Sequence, residues 1–177
     1  GQVSLPPVVT VRTAVVIPCR DEAAHISQLL DALAAQTMRP AEVVIVDDGS
    51  ADATVDLIRL WQSTHPGLVV RVMTGRGLGP GPAMNDGIRA TSAEIVIRFD
   101  AHALPDPDYV GRSLDALNDT RVGVAGGVWR VQAGGPTAVG RAIAQVVAHP
   151  LGSGGALYRH ADAAGPERVL VETVPFG

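Results

Sequence analysis

A chain of 177 residues with 46% hydrophobic and 18% charged residues is long enough for one domain with a full core and too short for two comfortable ones. Its formal charge of −4 and pI near 5.7 argue against a nucleic-acid surface, and its apolar content fits an ordered α/β domain rather than a disordered chain. All 14 basic residues are Arg, which excludes mechanisms that need an amine, such as a Walker P-loop, a Schiff base or the lysine of a phospho-receiver domain. No apolar run approaches the ~18 residues of a membrane span, and the N-terminus carries no signal pattern. The lone Cys19 rules out an internal disulfide and is compatible with a cytosolic setting.

Residues 1–11 carry Pro6 and Pro7 without periodicity and read as a lead-in. The β-branched run Thr13 to Pro18 suits a strand buried on both faces of a parallel sheet. After the loop Cys19, Arg20, Asp21, Glu22, the residues Ile26, Leu29, Leu30 and Leu33 recur at helical spacing up to Gln36, and Pro40 closes the segment. Glu42 to Val46 is a second buried strand, ending on Asp47, Asp48, Gly49, Ser50. A helix with Val55, Ile58 and Trp61 on one face follows, with Asp52 as its expected N-cap. His65, Pro66 and Gly67 make a turn. Leu68 to Met73 is a third strand, which opens into the Gly-rich loop Gly75 to Gly81. Pro82 suits the first residue of a short helix bearing Met84 and Ile88. Ile95 to Phe99 is a fourth strand, and Asp106 with Pro107 starts a helix with Val110, Leu114 and Leu117 inward. Beyond it, 122–131 is expected as a fifth, bulged strand. The segment 139–158 has a helical start and then a surface loop at the Gly152 to Gly155 tract. The closing residues 172–177 look like a truncation.

Four β-α repeats with near-continuous apolar strands call for a parallel sheet covered by helices on both faces. Ligands on such sheets bind beyond the carboxyl ends of the strands. Four polar clusters fall at those ends: Cys19 to Glu22, Asp47 to Ser50, Gly75 to Gly81, and Asp100 to His102. Asp-x-His alone is a short signal, because an Asp closing a strand often bonds the next loop's amides and a nearby His is often solvated. Several carboxylates beside a Gly-rich loop nevertheless suit a nucleoside diphosphate held by a divalent cation. Mg²⁺ takes one or two carboxylates plus phosphate oxygens, and an imidazole from His102 tilts the choice towards Mn²⁺. The first strand exits into P-C-R-D-E rather than G-x-G-x-x-G, so the ordinary dinucleotide fingerprint is absent.

The ordered motifs V-V-I-P-C-R-D-E, E-V-V-I-V-D-D-G-S-A-D-A-T, a Gly-rich loop with A-M-N-D-G-I, and R-F-D-A-H resemble a family 2 glycosyltransferase of GT-A fold. F-D-A-H-A-L-P-D-P-D-Y-V, A-H-P-L-G-S-G-G-A and V-E-T-V-P-F-G further resemble the branch of the succinoglycan glucosyltransferases. The resemblance implies one GT-A domain over 1–177, with a donor-binding half at 12–121 and the start of an acceptor half at 122–177. It implies inverting transfer of a sugar, such as glucose, from a UDP-sugar to a saccharide or lipid-linked acceptor in exopolysaccharide or envelope glycan synthesis. By the same resemblance, Pro18, Arg20 and Glu22 border the nucleoside pocket and Asp48 meets the base. Asp100 and His102 hold a divalent cation (Mn or Mg), Asp100 also facing the ribose, while Arg98 and Asn85 contact diphosphate or sugar. Met84 stands where many relatives carry Arg. The domain is expected in the cytoplasm, at the membrane's cytoplasmic face in the full-length protein.

Inverting transfer needs a carboxylate base, which the family carries in a Glu-Asp motif expected beyond Gly177. Asp106, Asp108 and Glu172 are better explained as helix caps and a salt link, so this chain is expected to bind donor and transfer poorly. His25 reads as a solvated face residue, His65 as part of a turn, and Cys19 as small-residue packing. Trp61 and Trp129 read as core, while His149 and His160 fall in a branch-specific loop. A sugar-nucleotide pyrophosphorylase would show G-x-G-x-R-L after the first strand and a catalytic Lys, and both are missing. The other rival is a non-catalytic nucleotide-sugar-binding module, which would bind donor without metal.

Overall fold

The computed structural model describes residues 11–127. The chain divides into two compact units, Gly1–Gly111 and Arg112–Gly177, and the first contains the four strands found among the described residues. The elements are β1 (Thr13–Cys19), α1 (Ile26–Ala34), β2 (Glu42–Asp47), α2 (Thr54–Thr64), β3 (Val70–Thr74), α3 (Pro80–Ala90), β4 (Ile95–Arg98) and α4 (Tyr109–Leu117). All strand pairs are parallel, in the order β3-β2-β1-β4. The chain steps outward from β1 to β3 and then returns to the far side of β1. Right-handed crossovers put α1 and α2 on one face and, because the direction reverses, α3 on the other. This is the α/β architecture with helices on both faces that the strand pattern predicts.

Burial explains why the strands read as continuous apolar runs. Every residue of β1 is buried. Val16, Val44 and Val46 face α3 and pack with its Ala83, while their neighbours Val15, Ile17, Val43 and Ile45, pointing the opposite way, are 0% exposed. On the amphipathic α1, Ile26, Leu29, Leu30 and Leu33 are the buried set, as their spacing predicts. α3 instead approaches the sheet through small residues: a Cβ on Gly87 would collide with Val16 Cγ1 and lie 3.0 Å from Val46 Cγ2.

Several boundaries differ from expectation. β3 starts at Val70 rather than Leu68, and β4 ends at Arg98. α3 starts at Pro80, so that residue rather than Pro82 occupies the first turn. Ile88 is 42% exposed, because Ala83 and Gly87 are the contact face and Ile88 lies past its edge. On α2, Thr54 is buried in place of the half-buried Val55. α4 begins at Tyr109, three residues after the expected cap Asp106, and Asp106 contributes its carbonyl to the turn by accepting the Tyr109 N–H at 3.0 Å. Val110 is the fully buried residue of that helix, and Leu114 and Leu117 are half-buried. Residues 122–127 form no strand; the rest of the expected fifth strand, the 139–158 segment, Trp129, His149, His160 and Glu172 lie outside the described residues.

Candidate donor and cation site

The reversal of strand order falls between β1 and β4, and a crevice beyond their carboxyl ends is where such sheets bind ligands. The β1 exit loop is fixed by the β2 exit loop, segment by segment. Asp21, at φ 54 in a left-handed conformation that costs most L-residues roughly 1 kcal/mol, has its N–H on Ser50 Oγ at 2.9 Å and its carboxylate on the Ala51 N–H at 2.7 Å. The Glu22 N–H donates to Thr54 Oγ1 at 2.8 Å, and the Ala23 N–H to Asp52 Oδ2 at 3.0 Å. Asp52 Oδ1 also accepts the Thr54 N–H at 3.0 Å. The expected cap therefore meets the first turn of α2 one residue before Ala53, the geometric N-cap. Those hydrogen bonds, led by the Thr54 hydroxyl, hold the Asp52 carboxyl below its usual range.

A cleft of about 200 Å³ opens beside this loop, lined by Pro18, Cys19, Arg20, Glu22, Asp48, Gly79 and Pro80. Four expected binding residues, Pro18, Arg20, Glu22 and Asp48, meet in it. A larger cleft of about 460 Å³ lies along β3 and α2 and contains none of the expected residues; its Gln62 amide is already committed to the Val70 carbonyl at 2.7 Å.

Asp48, 3% exposed, organises the Gly-rich loop. Its Oδ1 accepts the Gly77 N–H at 2.7 Å and its Oδ2 the Gly79 N–H at 2.6 Å. Gly75 permits this closeness, since a Cβ there would sit 2.6 Å from Asp48 Oδ1. The Gly79 amide, then those of Gly77 and Leu78, hold the Asp48 carboxyl below the ordinary carboxylate range against the opposing effect of desolvation.

On the other side of the crevice, Arg98 Nη2 donates to Asp100 Oδ1 at 3.0 Å, with both side chains largely covered. His102 Nδ1 donates to Glu22 Oε1 at 3.0 Å, which ties the β4 exit to the cleft. Glu22 Oε2 accepts from His25 Nδ1, also at 3.0 Å, and the two imidazole rings meet edge-on at 6.3 Å. His25 is half exposed, as a solvated residue would be, yet it belongs to this cluster. Its three-residue spacing from Glu22 at a helix start was the available signal. Asn85 is not brought to the cleft: it lies about 200° round α3 from Ala83, the buried contact residue, and is exposed.

No group of three or more His, Cys, Asp or Glu able to hold a metal occurs among the described residues. Asp100 and His102 offer one oxygen and one nitrogen donor at a single strand exit. Two protein ligands completed by phosphate oxygens is the usual composition of a nucleotide-bound divalent site, so these residues fit such an ion.

The parallel sheet in the order β3-β2-β1-β4, with helices on both faces and its exit loops gathered at one rim, is an α/β domain of the GT-A kind. The profile of the Glycosyl transferase family 2 matches residues 14–166, and the chain belongs to that family. The mannosyltransferase PcManGT from Pyrobaculum calidifontis, solved with GDP-Man and Mn²⁺, is 35% identical with a TM-score of 0.63 over 67% of this chain and 36% of that one. Glycosyltransferase AglE of Haloferax volcanii is 29% identical over 116 residues, 64% of this chain and 38% of its own length. The undecaprenyl-phosphate 4-deoxy-4-formamido-L-arabinose transferase of Serratia proteamaculans is 30% identical over 104 residues, 57% and 32% of the two chains. The chain spans well under half the length of each. No helix among the described residues is long and apolar enough to cross a membrane.

Proposed function

We propose that this chain supplies the donor site of an inverting, cation-dependent glycosyltransferase that moves a hexose from a UDP-sugar to a saccharide or lipid-linked acceptor. The observation that carries this reading is the cleft at the carboxyl ends of β1 and β2, in which Pro18, Arg20, Glu22 and Asp48 converge and which Glu22 joins to His102 of the β4 exit. In it, Pro18 and Arg20 border the nucleoside, Asp48 meets the base, and Asp100 with His102 holds Mn²⁺ or Mg²⁺. A cation there would stabilise charge on the departing diphosphate. Arg98 stands behind Asp100 and sets its orientation. Support for a cation comes from PcManGT, which binds Mn²⁺ with its donor, and a lipid-linked acceptor is in keeping with the name of the Serratia enzyme.

We assign residues 12–121 to the donor half and 122–177 to the acceptor half, and place the chain in the succinoglycan glucosyltransferase branch on its D-A-H and A-H-P-L-G motifs. The base that activates the acceptor hydroxyl lies outside the described residues in this assignment. Calorimetric titration of UDP and UDP-glucose, with GDP-mannose for comparison, tests the reading. Binding is expected with Mn²⁺ and is expected to weaken at least about 10-fold in EDTA and in His102→Ala. Equal UDP affinity with and without cation would instead mark a metal-independent nucleotide-sugar module.

A further inference from the structure

Which nitrogen of His102 can meet a cation is decided by its neighbour. Resting on the donor-site reading above, we propose that Glu22 is the positioning residue of the cation site. Its carboxylate accepts a hydrogen bond from the Nδ1–H of His102, keeping the proton on Nδ1 and leaving the Nε2 lone pair as the metal-binding atom.

A neutral imidazole has one N–H and one lone pair, and an ionised carboxylate can only accept. With Glu22 Oε1 at 3.0 Å from Nδ1, the proton belongs on Nδ1 and the lone pair on Nε2. Metal-bound histidines commonly rest on such a carboxylate, which fixes the ring and raises its basicity. Glu22 is built to hold still. Its side chain is 19% exposed, against 54% for His25 and 62% for His102. Its N–H is bound to Thr54 Oγ1, and its carbonyl accepts the N–H groups of His25 and Ile26 at 3.0 Å each. Its second carboxylate oxygen is braced by His25 Nδ1. Because both oxygens are occupied by imidazoles, Glu22 serves the cation through His102, and its negative charge adds to that of Asp100 at the site.

Long-range proton–nitrogen correlation NMR on the metal-free protein, labelled with ¹⁵N-histidine and held at mildly alkaline pH, reads the tautomer directly. His102 is expected as the Nδ1–H form, the opposite of the form an unrestrained imidazole favours. In Glu22→Ala, that preference is expected to vanish. Mn²⁺ affinity, followed by electron paramagnetic resonance with Mn²⁺ alone and again with UDP, is expected to fall about 10–100-fold. Glu22→Gln should recover part of it, since its amide oxygen can accept from one imidazole. An Nε2–H His102 in the unmodified protein would overturn the proposal whether or not the variants fold, as would unchanged Mn²⁺ affinity in Glu22→Ala. Absence of UDP binding alongside Glu22-dependent Mn²⁺ binding would remove the donor reading and leave the role of Glu22 standing.

Discussion

Burial decides the chemistry of Cys19. It lies at the end of β1, 3% exposed, and loss of water around the thiolate, reinforced by Glu22, Asp47, Asp52 and Asp21, pushes its thiol up to about 12. The thiol is therefore protonated throughout the physiological range, and the packing role read from the sequence is the one its environment enforces. Folded protein is expected to resist a thiol-reactive dye near neutral pH, with the colour appearing only as denaturant unfolds the chain. The folded state holds the proton that an unfolded thiol gives up above about 9. This contribution to stability is therefore intact below that pH and is lost as pH rises towards 12. Single-residue roles were legible where they needed no distant partner, as for Cys19, which the sequence places in the exit loop and the structure makes the last residue of β1. They were illegible where they depended on two loops meeting: nothing in the order of residues says that Glu22 touches a histidine eighty positions away, or that Asp48 closes on the amides of Gly77 and Gly79.

At the level of elements, strands and apolar helix faces could be read because each residue's burial repeats with the period of its own element. α1 shows this, its buried set matching the spacing residue for residue. α3 shows the limit. Its contact face is made by Ala83 and Gly87, residues without a hydrophobic signal, so Ile88 looked inward when it is partly exposed. The same geometry gives two glycines opposite behaviour. Gly87→Ala should destabilise by about 1–3 kcal/mol through overpacking against Val16 and Val46, outweighing the roughly 1 kcal/mol gained in helix propensity. In Gly111→Ala the new Cβ would lie 3.8 Å from Met38 Cβ, an ordinary contact, so propensity decides and a gain of about 0.5–1 kcal/mol is expected. Urea denaturation midpoints of the two variants check both signs. A smaller tie, invisible in the sequence, is Gln36. Its amide donates to the Asp106 carbonyl at 2.8 Å and accepts the Val110 N–H at 3.0 Å, which fixes the turn into α4 from the end of α1.

Across the whole molecule, the two ends of the sheet are specialised. At the amino end, Glu42 gathers Thr91 at 2.7 Å, Arg71 at 3.0 Å and Arg12 at 3.5 Å, joining the start of β2 to β3, to the lead into β1 and to the link before β4. The Thr91 hydroxyl, then the Arg71 and Arg12 charges, hold the Glu42 carboxyl below its ordinary value. Glu42→Gln should cost about 1–2 kcal/mol at neutral pH, a modest figure because both arginines are about half exposed. A depressed carboxyl stabilises above its unfolded pKa and ceases to do so as pH falls through the folded one. The difference between the two proteins should therefore close in acid, as paired denaturation curves at neutral and low pH would reveal. At the carboxyl end, the convergence of exit loops was legible from topology alone, because a parallel sheet must deliver all of them to one rim.

The embrace of Asp48 by the Gly-rich loop has a consequence for charge. Backbone amides in such loops are free dipoles that could receive a phosphate, but here two of them already face a resident carboxylate. Those two amides are committed to Asp48 and not to an outside anion. In the donor-site reading proposed above, neutralising an incoming diphosphate then falls to ions and guanidinium groups on the facing loops, in a chain that has no lysine to share the task.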